Sequence, residues 1–159
     1  MHMIFAGLLC SPLAVAADPP GKPDPKAAMM EADRAFAKAT AEKGLDGWVG
    51  FMAEDVAKAG RPGEKLTIGK DAVRKADAGI FADPARRLVW EPADAHAFAG
   101  GKTGVTSGRH KVVGQDKDGK EVVYGSGGCV TWWRLEADGA WKVIFDTGSP
   151  DPVPVAKKP

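Results

Sequence analysis

Apolar residues recur at helical spacing along the segment that follows Asp24. Asp24 can cap a helix, Pro25 suits the first helical position, and Gly44 suits the residue after the last one. Between them one face is apolar, formed by Met29, Ala32, Phe36 and Ala39. The pattern predicts an amphipathic helix from residue 25 to Lys43 with one buried side.

Two shorter helices are predicted after it. The segment from Leu45 to Glu54 places Trp48 and Phe51 three residues apart, and therefore on one helical face. The segment 70–81 begins after a glycine and ends before the pair Asp83–Pro84, which cannot continue a helix.

Beyond Ala85 the apolar period changes from helical to alternating. Gly100–Gly101 and two Asp-Gly pairs mark tight turns. They separate four predicted strands, at 88–98, 103–113, 121–135 and 141–147. Three helices followed by four long antiparallel strands indicate an α+β fold, not a βαβ fold.

The first 17 residues contain no Asp, Glu, Lys or Arg, and residues 3–17 are largely apolar. This run is shorter than the roughly 20 residues that span a bilayer, and Ala14-Val15-Ala16 has the small-x-small pattern of a signal-peptidase site. We expect a signal peptide at 1–16, a linker at 17–24, one domain at 25–148 and a Pro-rich tail at 149–159. Periplasmic or secreted localisation follows, with no membrane contact after signal removal. The alternatives are a cytosolic protein with an apolar N-terminus and, less favoured, a lipid anchor at Cys10.

Composition narrows the class of protein. The 159 residues carry 22 Lys and Arg against 21 Asp and Glu, so a broad basic surface for nucleic acid is not expected. Removal of the signal leaves Cys129 as the single thiol, which excludes a disulfide scaffold and a four-thiolate zinc site. His96 and His110 lack metal-ligand spacing, so we expect no metal and no cofactor.

Three segments of the C-terminal half carry a family resemblance. The segments 104–109 (GVTSGR), 129–134 (CVTWWR) and 138–148 (DGAWKVIFDTG) resemble bacterial nuclear transport factor 2-like domains, near the SnoaL-like polyketide cyclases and ketosteroid isomerases. The resemblance covers residues 27–152. It implies a cone in which a strongly curved antiparallel sheet wraps around the long N-terminal helix and leaves a pocket open at one end. It implies no single activity, because this superfamily hosts isomerases, cyclases, dehydratases and proteins without chemistry.

Candidate acids and bases can be weighed within that frame. An isomerase of this family needs a carboxylate after the second helix and a phenol on the first helix, where this chain has Ala59 or Gly60 and Phe36. That chemistry is disfavoured. The remaining candidates for proton transfer are Asp55, His110 and Asp146. Their plainer interpretations are a polar helix end for Asp55, a half-buried strand residue for His110 and a salt bridge for Asp146.

Two other polar side chains have plain and functional interpretations. Cys129 is interpreted as inert packing, since no feature of the sequence lowers its pKa. Arg109 forms a salt bridge at the sheet edge or presents its guanidinium to an anionic ligand.

Adjacent tryptophans in the third strand predict a contact surface. Trp132 and Trp133 must point to opposite sides of the sheet, so one of them lies outside with an apolar neighbour such as Val130. Strict alternation in the last strand places Trp141, Val143 and Phe145 on one face and Lys142, Ile144 and Asp146 on the other. Such a sheet suits a homodimer joined through its outer face, and the resemblance implies the same.

Two functions of different class remain, with a third left open. The first is a secreted, dimeric small-molecule binding domain for an apolar, oxygen-bearing ligand, with a pocket lined by Trp48, Phe51, Phe81, Trp90 and His110. The alternative is a cofactor-independent isomerase, cyclase or dehydratase that acts by proton transfer on such a molecule. The third is a domain that assembles on a protein partner.

Overall fold

The computed structural model describes residues 24–61, 63–98 and 100–152. The elements in chain order are α1 (Pro25–Lys43), α2 (Leu45–Gly50), β1 (Met52–Lys58), β2 (Thr67–Ile68), α3 (Lys70–Asp77), a 3-10 helix (Ala78–Phe81), β3 (Arg86–Ala97), β4 (Thr103–Gln115), β5 (Glu121–Leu135) and β6 (Trp141–Pro150). The predicted signal peptide at 1–16 lies outside the described residues. No helix in the described ranges is long and apolar enough to cross a membrane.

The α+β class is confirmed, with three helices ahead of four long strands. The sheet, however, has six strands in the order β2-β1-β6-β5-β4-β3, and β1 pairs with β6 in parallel. The prediction of four antiparallel strands was therefore incomplete, because β1 and β2 extend the sheet beyond β6. The result is a mixed, curved and unclosed sheet.

The predicted second helix was too long. It ends at Gly50, and Glu54 and Asp55 belong to strand β1. Glycine is a poor residue for continuing a helix. The strand that replaces the helix is held by β6, about 90 positions later in the chain, where Lys58 lies opposite Asp146. The pattern of neighbouring residues could not predict a pairing with a strand so distant in the sequence.

Helix α1 has the predicted ends. The Asp24 carboxylate accepts a hydrogen bond from Lys26 N at 3.0 Å, and Gly44 has a φ of 56°, a backbone conformation that favours glycine. The buried stripe of the helix consists of Met29, Asp33, Phe36 and Thr40. Two of these are polar, and the predicted Ala32 and Ala39 lie half-buried beside them.

The hydrophobic core is centred on Phe36. Its ring has no exposed surface and lies within 4.8 to 6.0 Å, centroid to centroid, of the rings of Trp48, Phe51, Trp90 and Trp133. These four rings come from α2, the turn after it, β3 and β5. One helical side chain therefore ties the long helix to both halves of the sheet.

Bulges bend the sheet and change which residues face inward. In β6, Phe145 lies opposite Trp132 whereas Val143 lies opposite Trp133, so Ile144 is an extra residue. Trp133 and Val143 are completely buried inside. The bulge reverses the alternation after Val143, so the predicted faces of this strand were wrong beyond that point: Phe145 faces outward against Trp132, and Asp146 faces inward.

Strand β6 also continues past its predicted end. Ser149 and Pro150 pair with the two glycines that precede Cys129 in β5. The first two residues of the predicted tail therefore belong to the sheet, and residues 153–159 lie outside the described part of the chain.

Candidate functional site

Five buried polar side chains gather inside the curved sheet. We call them the interior polar cluster: Asp33 of α1 (3% exposed), Asp77 of α3 (4%), Thr106 of β4 (1%), Thr131 of β5 (4%) and Asp146 of β6 (6%). Strand pairing places Thr106, Thr131 and Asp146 side by side across three neighbouring strands. The cluster is therefore fixed by sheet register and by two helices.

Indole N–H groups satisfy most of this cluster. Three interior tryptophans each donate one hydrogen bond: Trp90 Nε1 to Asp33 Oδ1 at 2.7 Å, Trp48 Nε1 to Asp77 Oδ2 at 2.8 Å, and Trp133 Nε1 to Thr106 Oγ1 at 2.8 Å. Asp77 also accepts a hydrogen bond from Lys58 Nζ at 3.1 Å. Asp33 and Asp77 thus have a structural role, since each anchors a core tryptophan.

Asp146 differs from the other two carboxyls. Among the described residues, the side-chain donor to it is the hydroxyl of Thr131, at 3.2 Å. Burial raises the pKa of Asp146 to about 7, and Asp77 and Asp33 add to this rise while the Lys58 ammonium opposes it. The carboxyl is therefore divided between its neutral and ionised forms near neutral pH. Burial also raises the pKa of Asp33, against the hydrogen bond from Trp90.

Beside Asp146 the inner face of the sheet carries few side chains. The next row across the strands is Gly108, Cys129 and Gly148. The row after it contains His110 and Gly127, and a Cβ at Gly127 would lie 2.7 Å from His110 Cε1. The glycines therefore leave room for the imidazole. Because Cys129 and His110 are half-buried and Gly148 is exposed, solvent reaches the inner face here.

Cys129 keeps its proton in this setting. Burial raises the pKa of the thiol to about 11, and the carboxylates of Asp33 and Asp146 add to the rise. At neutral pH the side chain is a neutral thiol at the edge of the interior polar cluster. This agrees with the expectation that no feature activates it as a nucleophile.

The other polar candidates lie outside the cluster. Asp55 lies on the outer face, where its two oxygens accept hydrogen bonds from Arg134 at 2.8 and 2.9 Å, and Arg134 lowers the pKa of Asp55. Arg109 of β4 pairs with Asp151, just after the end of β6, and not at an edge of the sheet. His96 is exposed, with its ring 5.5 Å from that of Phe98.

The aromatic residues predicted to line a pocket lie close together. Trp48, Phe51 and Trp90 surround Phe36, and the ring of Phe81 lies 6.2 Å from that of Trp48. His110 lies on the inner face beside Gly127. The structure thus brings His110 and Asp146 to one side of the sheet and leaves Asp55 on the other.

The sequence interpretation missed most of the interior polar cluster. Asp33 had a usable signal, because it lies four residues after Met29 and three before Phe36, on the apolar face of α1. Thr106 and Thr131 gave no such signal, since alternating strands contain threonine on either face. Within residues 24–61, 63–98 and 100–152, no three His, Cys, Asp or Glu side chains are grouped to hold a metal ion.

No protein-family model and no curated protein sequence matches this chain. Solved structures do resemble it. A ketosteroid isomerase-like protein from Erwinia carotovora atroseptica has a TM-score of 0.64 at 15% identity, over 83% of this chain and 100% of the other. Aln2 from a Streptomyces species has a TM-score of 0.65 at 13% identity, over 82% and 94%. A protein with a cystatin-like fold from Nostoc punctiforme has a TM-score of 0.60 at 18% identity, over 79% and 90%.

At these identities the likeness concerns the fold alone. The solved structures support the architecture described above, a curved mixed sheet around an N-terminal helix. The chain therefore has the nuclear transport factor 2-like fold that its C-terminal segments indicated.

Proposed function

We propose that this chain binds a small, mostly apolar molecule that carries one hydrogen-bonding oxygen, and that Asp146 recognises that oxygen. The observation that supports this most strongly is the contrast within the interior polar cluster. Asp33 and Asp77 each hold a core tryptophan, whereas Asp146 is equally buried and holds none.

The energetics support a role beyond folding. Burying a carboxyl group without full hydrogen bonding costs stability, on the order of 1 to 3 kcal/mol even for a neutral polar group. A single hydroxyl at 3.2 Å offsets little of that cost for Asp146. A buried, poorly satisfied group with a shifted pKa beside a solvent-reached surface is a typical feature of ligand sites.

The surroundings define the chemistry of the ligand. In the row after Asp146 the inner face offers glycine backbone and a neutral thiol. The row after that has the imidazole of His110, with Trp90 opposite it on β3. We therefore expect the ligand to be a flat apolar molecule that these few polar groups orient. Neutral Asp146 donates a hydrogen bond to a carbonyl, whereas ionised Asp146 accepts one from a hydroxyl.

Two probes distinguish these states. 1-Tetralone is a flat ketone that only accepts hydrogen bonds, and 2-naphthol carries a hydroxyl that donates. Because Asp146 titrates near pH 7, we expect the affinity for 1-tetralone to fall about tenfold from pH 6 to pH 8, and that for 2-naphthol to rise. The indole N–H signals in ¹H–¹⁵N NMR report binding: those of Trp90 and Trp133 should shift, and that of Trp132 should not.

Matched variants test whether Asp146 causes the pH dependence of binding. Asp146→Asn should abolish the pH dependence for both probes, whereas Asp55→Asn, the same change on the outer face, should keep it. His110→Gln should also keep it, which separates the effect of the carboxyl from that of the imidazole on the same face of the sheet. Indole signals that stay unmoved by both probes at millimolar concentration would refute the proposal.

A second candidate function is proton transfer on the bound molecule. A carboxyl whose pKa is about 7 is matched to general acid–base catalysis near neutral pH. The test is exchange of the C2 protons of 1-tetralone for deuterium in D₂O, followed by NMR. Exchange that depends on the protein and is lost in Asp146→Asn supports an enzyme. An exchange rate that is the same with and without the protein supports binding without catalysis.

We also propose that two copies pair through the outer face of the sheet. Four half-buried apolar side chains lie together there, on three neighbouring strands: Val105, Val130, Trp132 and Phe145. The rings of Trp132 and Phe145 meet edge to face at 5.4 Å, which makes a continuous apolar surface. A second copy of the same face would cover it symmetrically.

We further propose that the protein is exported to the periplasm or secreted after removal of residues 1–16. The support is the uncharged apolar run and the Ala-Val-Ala site that ends it. Intact-mass analysis of protein from an exporting host should give a chain that begins at Ala17 or Asp18. Full-length protein in the cytoplasmic fraction would contradict the proposal.

A further inference from the structure

Lys58 occupies a position between two of the buried carboxyls. It lies directly opposite Asp146, because β1 runs parallel to β6 with these two residues in register. Its Nζ donates to Asp77 Oδ1 at 3.1 Å, and its side chain is only 19% exposed. The lysine therefore reaches from the strand beside Asp146 to the helix α3 that covers the sheet.

The charged and titratable groups around Asp146 come from every element packed against it. They are Asp33 of α1, Lys58 of β1, Asp77 of α3 and Cys129 of β5, with His110 of β4 two rows further along the inner face. Cys129 is a neutral thiol, and the two aspartates disfavour a further negative charge. Lys58 is positively charged, so its ammonium lowers the pKa of Asp146, whereas the two aspartates raise it.

We propose that Lys58 sets the charge state of Asp146, and thereby decides whether the site accepts a carbonyl or a hydroxyl ligand near neutral pH. The ligand part of this inference rests on the proposed function. Control of the charge state does not, because it can be measured without any ligand.

The geometry explains how the control works. Asp77 is fixed by the Trp48 indole on one oxygen and binds the lysine with the other. Lys58 thus forms its ion pair with Asp77, and the same ammonium acts on Asp146 through space. Removing the lysine charge leaves Asp146 facing two carboxylates. Removing the Asp77 charge leaves the Lys58 ammonium without its partner, so the ammonium stabilises ionised Asp146 more strongly. Substitution of the two partners of this ion pair should therefore shift the midpoint of the Asp146 titration in opposite directions.

The experiment is a pH titration of the Asp146 carboxyl carbon by NMR on protein labelled with ¹³C-aspartate, with the signal assigned through Asp146→Asn. Lys58→Gln should raise the midpoint of the Asp146 titration by about one pH unit. Asp77→Asn, whose amide oxygen still accepts from Trp48, should lower it. Lys58→Arg keeps the positive charge and should therefore keep the wild-type midpoint. Lys70→Gln, the same change at a lysine paired with Glu54 on the surface, should leave it unchanged.

Opposite shifts support the inference, and a merely structural role would not produce them. Loosening of the fold would expose Asp146 and lower its midpoint in both variants. A lower or unchanged midpoint in Lys58→Gln would overturn the inference. If Lys58→Gln fails to fold, Asp77→Asn is judged together with its unfolding midpoint in urea. With an unchanged urea midpoint, a lower Asp146 titration midpoint supports the inference, and one that does not fall overturns it.

Ligand binding by the Lys58 variant distinguishes failure of the proposed function from failure of the inference about Lys58. In Lys58→Gln, binding of 1-tetralone should persist to a pH about one unit higher than in the wild type. If the carboxyl midpoints shift as expected but neither probe binds any form of the protein, the proposed function fails and charge control stands. If the probes bind with unchanged pH dependence in Lys58→Gln, the proposed function stands and the inference fails.

Discussion

Aspartate side chains on the two faces of the sheet differ in burial, in hydrogen bonding and in the direction of their pKa shift. Asp55 on the outer face is exposed and doubly hydrogen-bonded to Arg134, which lowers its pKa. Asp146 on the inner face is buried with one hydroxyl partner, and burial raises its pKa to about 7. Residue type alone therefore says little about chemistry. What makes a carboxyl useful near neutral pH is burial without full satisfaction.

Strand β5 repeats the contrast with adjacent tryptophans. Trp133 is fully buried, contacts Phe36 and donates its indole N–H to Thr106. Trp132 is half-buried on the outer face, with its ring against Phe145. One side chain belongs to the core, whereas the other belongs to a surface that a second copy could cover.

The largest effect is expected from truncating the inner tryptophan. Trp133→Ala should lower the free energy of unfolding by about 3 to 5 kcal/mol, because it leaves a cavity next to Phe36 and removes the donor to Thr106. Urea denaturation measures the loss. Trp132→Ala is the matched control and should cost clearly less in monomeric protein. Equal losses would show that the two faces are not energetically distinct.

The next effect concerns the pH dependence of stability. Asp146 has an ordinary pKa of 3.8 when unfolded and about 7 when folded, so between these values the folded state binds the extra proton. Stability contributed by this group is therefore fully present below about pH 4 and is lost as the pH rises towards 7, by up to about 4 kcal/mol. Asp146→Asn should remove this slope. Urea denaturation at pH 4.5, 5.5 and 6.5 tests it, and parallel curves for wild type and variant would contradict the assignment.

The third effect concerns association. Trp132→Arg places a charge in the centre of the apolar outer face, so it should weaken a dimer by at least tenfold, since a charge buried without a partner is costly. Sedimentation equilibrium at micromolar concentration measures this, and circular dichroism should show an unchanged fold. Lys111→Glu, a change of charge away from the patch on an exposed position of β4, is the control. A monomeric wild type would leave the outer face to another partner.

The smallest effect is expected for the outer carboxyl. Asp55→Asn removes an exposed pair with Arg134 and should change stability by less than about 1 kcal/mol, because solvent and salt screen such pairs. The difference should shrink further at 1 M salt. Thermal unfolding at low and high salt measures it. A loss as large as that of Trp133→Ala would mean that the pair of Asp55 and Arg134 contributes to stability as much as a core residue does.

Local patterns predicted much of the fold because local physics decides those parts. The capped start of α1 at Asp24, its end at Gly44 and the full extent of β5 needed only turn chemistry and periodicity. The candidate site was only partly accessible in this way. His110 and Asp146 were named from the sequence, but the partners that give Asp146 its properties, Asp77 and Lys58, were not. They lie on elements far apart in the chain.

What the sequence determined by itself is the class of fold, the long N-terminal helix and the four long strands, since helical and alternating periods are visible in consecutive residues. Tertiary structure alone decided which way Asp146 points. An unbroken β6 would have placed it outside with Lys142, and the extra residue Ile144 in the pairing with β5 turned it inward. Tertiary structure also decided that residues 52–58 form a strand beside β6 and bring Lys58 next to Asp146. A bulge and a parallel pairing are set by the strand across the sheet, and no local pattern carries that information.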